Sequence, residues 1–253
     1  MPDKTSIQCL EGNLRDNGLI LPTDFVIMKK RFKKELIKYY LSGLCRGQTI
    51  LDLNPGFEGV YNELEQSESE YISLEQNPRL RSFLEERNIN VKDWYIPTIP
   101  LEDNSVDYVL SAPFIEHLPT YLDALNFLLE TKRVLKPGGK VLLIVPNYLN
   151  LKTIFFEDYK HGWVVTRKRI TDMLLDCHYD VLGYRYTIGW IIMTMNPLTS
   201  LLRFVIYIGI SIIRLNLVER LLEFAKLDNL SNKVKKTLFE LIVIEAQLND
   251  EEQ

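Results

Sequence analysis

The sequence contains few of the residues that build disulfide frameworks and metal sites. Of its 253 residues, three are cysteines and three are histidines. Cys9, Cys45 and Cys177 lie far apart and show no CxxC spacing, which is typical of free thiols in a reducing compartment. The histidines show no HExxH or comparable spacing, so no metal site is expected.

An excess of positive charge and a long apolar run are also absent. The net charge is −4 and the pI about 5.6, which give no reason to expect a nucleic-acid partner. The first thirty residues lack the apolar segment of a secretory signal. The uncharged run between Arg203 and Arg214 has about ten residues, well short of the roughly twenty that span a bilayer. We therefore expect a cytoplasmic protein, with 1–253 forming one domain.

The most informative stretch is a predicted buried strand that ends in a turn. Ile50, Leu51 and Leu53 surround Asp52, and the chain then continues into Asn54-Pro55-Gly56. A glycine lets the main chain approach a ligand where a Cβ would collide, and asparagine tolerates the left-handed backbone that such turns use. This pattern is typical of a nucleotide-like ligand site, although an ordinary strand and tight turn remain an alternative.

A second acid ends the next predicted strand. Tyr71 to Glu75 reads as a strand that again ends in an acid. Glu75 stands about twenty residues past the glycine turn, where an acid binds both ribose hydroxyls. The alternative is an exposed acid at a strand end. Further strands at 90–94, 106–111 and 140–145 alternate with helices, which predicts an α/β fold with a parallel sheet covered on both faces.

Three further motifs carry a family resemblance. They are Ile99–Val109 (IPLEDNSVDYV), Ile115–Leu118 (IEHL) and Arg133–Gly139 (RVLKPGG). With these motifs in order, the span 49–184 resembles the class I S-adenosylmethionine-dependent methyltransferases, in their small-molecule (methyltransferase type 11-like) branch. The resemblance implies a Rossmann-like seven-stranded sheet with helices on both faces. Its last strand, for which 238–246 is the candidate, would lie antiparallel between strands five and six.

The resemblance also implies which residues hold the cofactor, S-adenosyl-L-methionine. Asp52 and the turn that begins at Asn54 would hold its methionine and ribose parts, and Glu75 would hold the ribose diol. The full set of expected cofactor residues is Asp52, Asn54, Gly56, Glu75, Asp93, Trp94, Ser111 and His117. Asp93 would face the adenine amine, with Trp94 nearby, and Ser111 would lie under the methionine part.

Two residues depart from the glycine-rich turn of the family. Asn54 replaces the first glycine, and Glu58 stands at the third, adding negative charge near a carboxylate-bearing cofactor. A degenerate family member that binds or regulates without turnover is therefore an alternative function. A nicotinamide-dependent oxidoreductase is another, since the turn and Glu75 by themselves would fit it.

The sequence indicates less about the residues that would bind the methyl acceptor than about those that would bind the cofactor. His161 is the candidate catalytic base, because imidazole is the usual base for a hydroxyl acceptor. Residues 1–42 read as an N-terminal lid and helix, and 188–236 as a helical insertion before the last strand. The apolar part of this insertion, 190–214, has three interpretations: a cap over the acceptor pocket, a homodimer surface, or a helix resting on a membrane. Each interpretation favours a small acceptor that is apolar or lipid-linked.

Overall fold

The computed structural model describes residues 32–41, 47–56, 60–64, 68–111, 113–157, 159–188, 191–192 and 240–249. Positions 198, 201–202, 204–205, 208–209 and 212 are also described. The predicted lid before residue 32, Glu58 in the turn and most of the predicted insertion lie outside the described residues. The expected division of the chain into lid, domain and insertion therefore stays a prediction.

The fold is built on one mixed sheet. Its strands follow the order β3-β2-β1-β4-β5-β8-β6-β7, with β1 to β5 parallel and β8 antiparallel between β5 and β6. The strands are β1 Thr49–Leu53, β2 Glu70–Leu74, β3 Val91–Lys92, β4 Val106–Ser111, β5 Leu135–Pro146, β6 Tyr179–Ile188, β7 Ile191–Ile192 and β8 Leu241–Leu248. The predicted seven-stranded order is confirmed, and the two-residue β7 extends it beyond β6.

Helices connect the strands and begin at the capping residues of the sequence. They are α1 Tyr61–Leu64, α2 Pro78–Glu85, α3 Tyr121–Val134, α4 Tyr148–Leu151 and α5 Arg167–Asp176. Thr120 and Asp123 form a reciprocal capping box at the start of α3, while Asn77 and Thr166 cap α2 and α5. Shorter turns are 3₁₀-helical at Ile115–His117 and Lys152–Glu157 and π-helical at Ile37–Leu41.

Two hydrophobic cores cover the two faces of the sheet. Leu51 and Leu53 of β1 face the core that includes Phe127 of α3. Ile50 faces the other core, which includes Phe32 of the N-terminal helical segment. Neighbouring side chains along β1 thus lie in different cores. Because such strands are buried on both faces, their sequences are continuous apolar runs. The prediction of helices on both faces is confirmed.

The family motifs that flank α3 hold the fold together. Arg133 donates hydrogen bonds to the carbonyl oxygens of Ile99 and Leu101 and pairs with Asp103 and Glu130. These acids raise the pKa of Arg133. The loop before β4 is thereby fixed to the end of α3, so these two motifs position β4 and do not themselves form a ligand site.

Strand β5 is longer than predicted. The sequence indicated that Lys136–Gly139 ends the helix and that the strand begins at Lys140, but the strand begins at Leu135. A register shift against β4 accommodates the glycines within it. A Cβ on Gly139 would lie 2.7 Å from the carbonyl oxygen of Lys136, so this tight path requires glycine.

Candidate cofactor and acceptor site

The turn after β1 has the backbone that the sequence indicated. Asn54 has a φ of 60° and Gly56 a φ of 67°, both in the left-handed region. The Asn54 N–H donates to the carbonyl oxygen of Leu74 over 2.9 Å, which ties the turn to β2. A Cβ built on Gly56 would meet no atom of the described residues within 4 Å. As far as the described residues go, the turn leaves open space at the carboxyl edge of the sheet, where ligands bind in folds of this kind.

Asp52 is a buried carboxylate beside this turn, with 1% of its surface exposed. Its Oδ2 accepts hydrogen bonds from the Tyr71 hydroxyl (2.6 Å) and the Val60 N–H (3.3 Å). Its Oδ1 is buried and accepts no hydrogen bond from the residues that the structure describes. Burial raises the pKa of Asp52 to about 6, against the lowering effect of these donors and of the Lys33 charge.

Asp52 is therefore largely ionised at neutral pH and keeps one oxygen for a cationic group. Tyr71 was not singled out from the sequence as a site residue, since its alternation in β2 indicates only a buried aromatic. The pairing of Ile50 with Tyr71 in the β1–β2 register brings the phenol within reach of Asp52.

Glu75 lies just beyond β2 and is 4% exposed. Its Oε1 accepts a hydrogen bond from the Asn77 N–H over 2.9 Å, and the backbone N–H groups of Gly56 and Gln76 lie close enough to lower its pKa. Burial nevertheless raises the pKa of Glu75 above its usual value. A carboxylate has about four acceptor positions, so it can anchor the Gly56 turn and still accept bonds from a diol.

Asp93 lies at the tip of β3 and is held by a cation. Its Oδ1 accepts hydrogen bonds from the Arg81 guanidinium and the Trp94 N–H. Arg81 also donates to the carbonyl oxygens of Glu75 (2.9 Å) and Gln76 (3.1 Å). One arginine thus holds the ends of β2 and β3 together. The expected contact of Asp93 with adenine stays a prediction.

The Trp94 ring lies in the hydrophobic core. It is 1% exposed and packs against Phe114 and Phe127, with ring centroids 5.3 and 6.3 Å away. The ring therefore packs behind the site, and only the main chain of Trp94 follows Asp93 along the edge. Ser111 ends β4 between Leu53 of β1 and Leu143 of β5, and it is 2% exposed.

The two histidines predicted at this edge lie together. The rings of His117 and His161 have centroids 4.9 Å apart. The Gly162 N–H donates to the Glu116 carbonyl oxygen (2.9 Å), and Trp163 Nε1 donates to the Ile115 carbonyl oxygen (2.9 Å). These bonds dock the loop before α5 onto the 3₁₀ turn after β4.

This docking requires a glycine. A Cβ on Gly162 would lie 2.2 Å from the Leu118 carbonyl oxygen and 2.7 Å from that of Pro119. The sequence predicts where each histidine lies along the chain, but not this contact between two distant loops. His178 follows α5 as an exposed residue outside the cluster.

A stripe of exposed apolar side chains lies within the predicted insertion. The insertion was predicted to be helical from residue 188, but Ile188 ends β6 and Ile191–Ile192 form β7. The described residues between 198 and 212 are helical, and the apolar ones recur at spacings of three and four. The stripe consists of Leu198, Leu201, Leu202, Phe204, Val205, Ile208 and Ile212, each 42% to 75% exposed. Among the described residues, no helix is both long and apolar enough to cross a bilayer.

Comparison with known proteins finds a family that matches part of the chain. Residues 51–143 match the family described as a methyltransferase domain. An uncharacterised protein of Methanocaldococcus jannaschii is 36% identical over 112 residues, which are 44% of this chain and 47% of that protein. The chain spans less than half the length of this relative and of two other curated relatives that it matches.

Solved structures share the fold. A methyltransferase from Archaeoglobus fulgidus that depends on S-adenosylmethionine superposes with a TM-score of 0.56 at 20% identity, covering 89% of this chain and 100% of that one. Phosphoethanolamine N-methyltransferase 2 of Haemonchus contortus was solved in complex with phosphomonomethylethanolamine and S-adenosylhomocysteine. It superposes with a TM-score of 0.58 at 15% identity, covering 87% of this chain and 53% of that one.

The sheet order and the turn after β1 are those of the class I methyltransferase fold, and residues 51–143 match the methyltransferase domain family that the motifs resemble. The cofactor of that class is S-adenosylmethionine. The residues present fit that cofactor, since a buried acid with one unused oxygen lies beside a turn that is open above Gly56.

Proposed function

We propose that this chain transfers a methyl group from S-adenosylmethionine to a small acceptor that is apolar or lipid-linked. The observation that carries the proposal is the ionisable, half-satisfied Asp52 next to the open Gly56 turn. When bound, the cofactor supplies a methyl group activated by its sulfonium, so the protein mainly has to align an acceptor with that methyl group.

Each acid at the carboxyl edge has a separate role in this proposal. Asp52 Oδ1 pairs with the ammonium of the methionine part, and Glu75 accepts both ribose hydroxyls while it anchors the Gly56 N–H. Asp93 accepts a bond from the adenine amine, and Ser111 lines the floor of the site. Tyr71 positions Asp52 and Arg81 positions Asp93, because each donates a hydrogen bond to that carboxylate.

The role of Asp52 makes cofactor binding dependent on pH. The free protein must lose a proton from Asp52, whose pKa is about 6, before it can pair with an ammonium. We expect the affinity for S-adenosylhomocysteine to be constant above about pH 7 and to fall about tenfold per pH unit below pH 6. Calorimetric titrations at several pH values measure this profile.

The Asp52→Asn variant provides the control, because it keeps the shape of the side chain and removes the charge. This variant should bind S-adenosylhomocysteine weakly at every pH, and its affinity should depend much less on pH. Any pH dependence that remains would be due to Glu75. A native affinity that is flat between pH 5 and 8 would contradict the ammonium role of Asp52.

His161 is the proposed acceptor-side base. Its Nδ1 contacts the Phe155 carbonyl oxygen, which can only accept, so Nδ1 carries the proton and the lone pair is on Nε2. This tautomer is suited to take a proton from an acceptor hydroxyl or ammonium. His117 lies beside it and would separate the acceptor from the cofactor side.

The proposed acceptor class comes from the exposed stripe at 198–212. Seven large apolar side chains that are each at least 42% exposed form a surface of the kind that contacts membranes or other proteins. Arg203 lies within this segment of the sequence and Arg214 follows it, as suits a helix lying on anionic lipid. We propose that this stripe rests on a membrane and brings the site to a lipid-linked acceptor.

Binding to vesicles tests this contact. The chain is expected to co-sediment with vesicles of phosphatidylcholine containing one third phosphatidylglycerol. The double variant Leu201→Asp/Ile208→Asp should weaken partitioning about 100-fold, since it removes two apolar side chains from the lipid contact. The control Leu122→Asp changes a 53% exposed leucine on α3 and should leave partitioning unchanged.

Other outcomes assign the stripe differently. If the double variant sediments like the native chain, the membrane contact is wrong. If the native chain forms dimers that the double variant loses, while neither binds vesicles, the stripe is a dimer surface.

A further inference from the structure

We propose that Glu116, His117 and His161 bind one divalent metal ion of the zinc class. A carboxylate oxygen of Glu116 and one ring nitrogen of each histidine all lie within 4.8 Å of one another. The Oε1 atom of Glu116 is 3.9 Å from Nε2 of His117. Two imidazoles and one carboxylate form a ligand set that zinc and other first-row metals prefer, and that catalytic zinc sites use.

The hydrogen bond of His161 prepares this residue as a ligand. Because Nδ1 donates to the Phe155 carbonyl oxygen, the ring is held in place and Nε2 carries the lone pair. Histidines that ligate metals usually donate their other ring nitrogen to a carbonyl or a carboxylate, which fixes the tautomer and the ring orientation. A metal would take the same lone pair that otherwise serves as a base.

The two loops that carry the ligands are fixed to each other by bonds that do not involve the metal. Gly162 and Trp163 donate to the carbonyl oxygens of Glu116 and Ile115, and the close approach at Gly162 excludes any larger residue. Such a scaffold holds ligands from distant parts of the chain near their binding geometry, as a metal site requires.

The burial of Glu116 is compatible with a cation at this place. Glu116 is 2% exposed, and a divalent ion between the three side chains would place positive charge beside a carboxylate that is out of water.

Small side-chain rotations complete the site. Ligand atoms around a tetrahedral zinc with bonds of about 2.0–2.1 Å are about 3.3 Å apart, so the observed separations must shorten by about 1.5 Å or less. Three protein ligands leave the fourth position open. An oxygen of the acceptor fits that position, so the site favours acceptors with a hydroxyl or carboxylate group.

The sequence predicted no metal site because its histidines lack a metal-binding spacing. Residues 116–117 and 161 are far apart in the chain, and only the docking of their loops brings them together. Metal binding does not depend on the proposed methyl transfer, so the two proposals can fail separately.

Zinc titration of the full chain, freed of metal with a chelator, tests the site. We expect one equivalent of Zn²⁺ to bind with micromolar or higher affinity. Glu116→Gln and His161→Ala should each weaken binding at least 100-fold, while His178→Asn should bind as the native chain does. Asparagine is chosen at position 178 because φ there is 65°, which asparagine tolerates.

Two further measurements make the outcome decisive. Co²⁺ bound in place of zinc should give visible absorption without a thiolate charge-transfer band, which excludes the cysteines as ligands. A circular dichroism spectrum and a melting temperature like those of the native chain show that the variants are folded. Native zinc binding weaker than 100 μM, or zinc binding that survives both substitutions, overturns the metal site.

Discussion

Glu75→Ala is expected to weaken the binding of S-adenosylhomocysteine about 100- to 1000-fold. The variant removes a buried carboxylate that would accept two charge-assisted hydrogen bonds from the ribose, and each such bond contributes about 1.5–3 kcal/mol. It also removes the carboxylate that lies beside the Gly56 N–H of the turn. Calorimetric titration of the native chain and the variant measures the ratio.

Two further variants separate the charge of Glu75 from its other effects. Glu75→Gln keeps one acceptor oxygen and should weaken the binding of S-adenosylhomocysteine about tenfold, because it removes the negative charge and replaces the second oxygen by an NH₂ group. Glu70→Ala changes an exposed glutamate at the other end of β2 and should leave the affinity unchanged. If Glu75→Ala binds within threefold of the native chain, Glu75 is not a ribose ligand.

Gly162→Ala is expected to lower the free energy of unfolding by about 3 kcal/mol. The new Cβ would lie 2.2 Å from the Leu118 carbonyl oxygen, so the loop before α5 must move away from the turn that carries His117. The hydrogen bonds of Gly162 and Trp163 would be weakened together. Denaturant titration followed by circular dichroism measures the loss.

Gly162→Ala should change the His117–His161 cluster and leave the binding of the cofactor product unchanged. Gly162→Ala should bind S-adenosylhomocysteine within about threefold of the native chain while losing the zinc site, because Asp52 and Glu75 do not depend on this loop. Gly183→Ala is the matched control, since a Cβ there meets no atom within 4 Å. Equal stability of the two variants would show that the close approach at Gly162 is not as the structure describes it.

The features that local sequence determines were predicted well. These features depend on near neighbours in the chain. They are the alternation in β1 and β2, the acids that follow these strands, and the asparagine that takes a left-handed φ. The family resemblance added the antiparallel position of β8, which no local pattern indicates. The early start of β5 was missed because Pro137-Gly138-Gly139 has the composition of a turn, whereas pairing with β4 extends the strand through it.

The features that depend on contacts between distant residues were not predicted. Tyr71 reaches Asp52 only because of the register between β1 and β2, and Trp94 enters the core although it follows an edge acid. The meeting of His117 with His161 depends on a glycine contact between two loops. No spacing in the sequence predicts this contact, because it arises from the packing of two loops that are distant in the chain.

Calorimetric titration of S-adenosylhomocysteine into the native chain at pH 7.5 tests the central claim most directly. We expect one site with a micromolar dissociation constant, which corresponds to about 8 kcal/mol. Asn54 already takes the backbone that the family turn needs, so its departure from glycine should not abolish binding. Absence of heat, and of any rise in melting temperature, at millimolar ligand would contradict the account. The chain would then be a methyltransferase fold that binds or regulates without turnover.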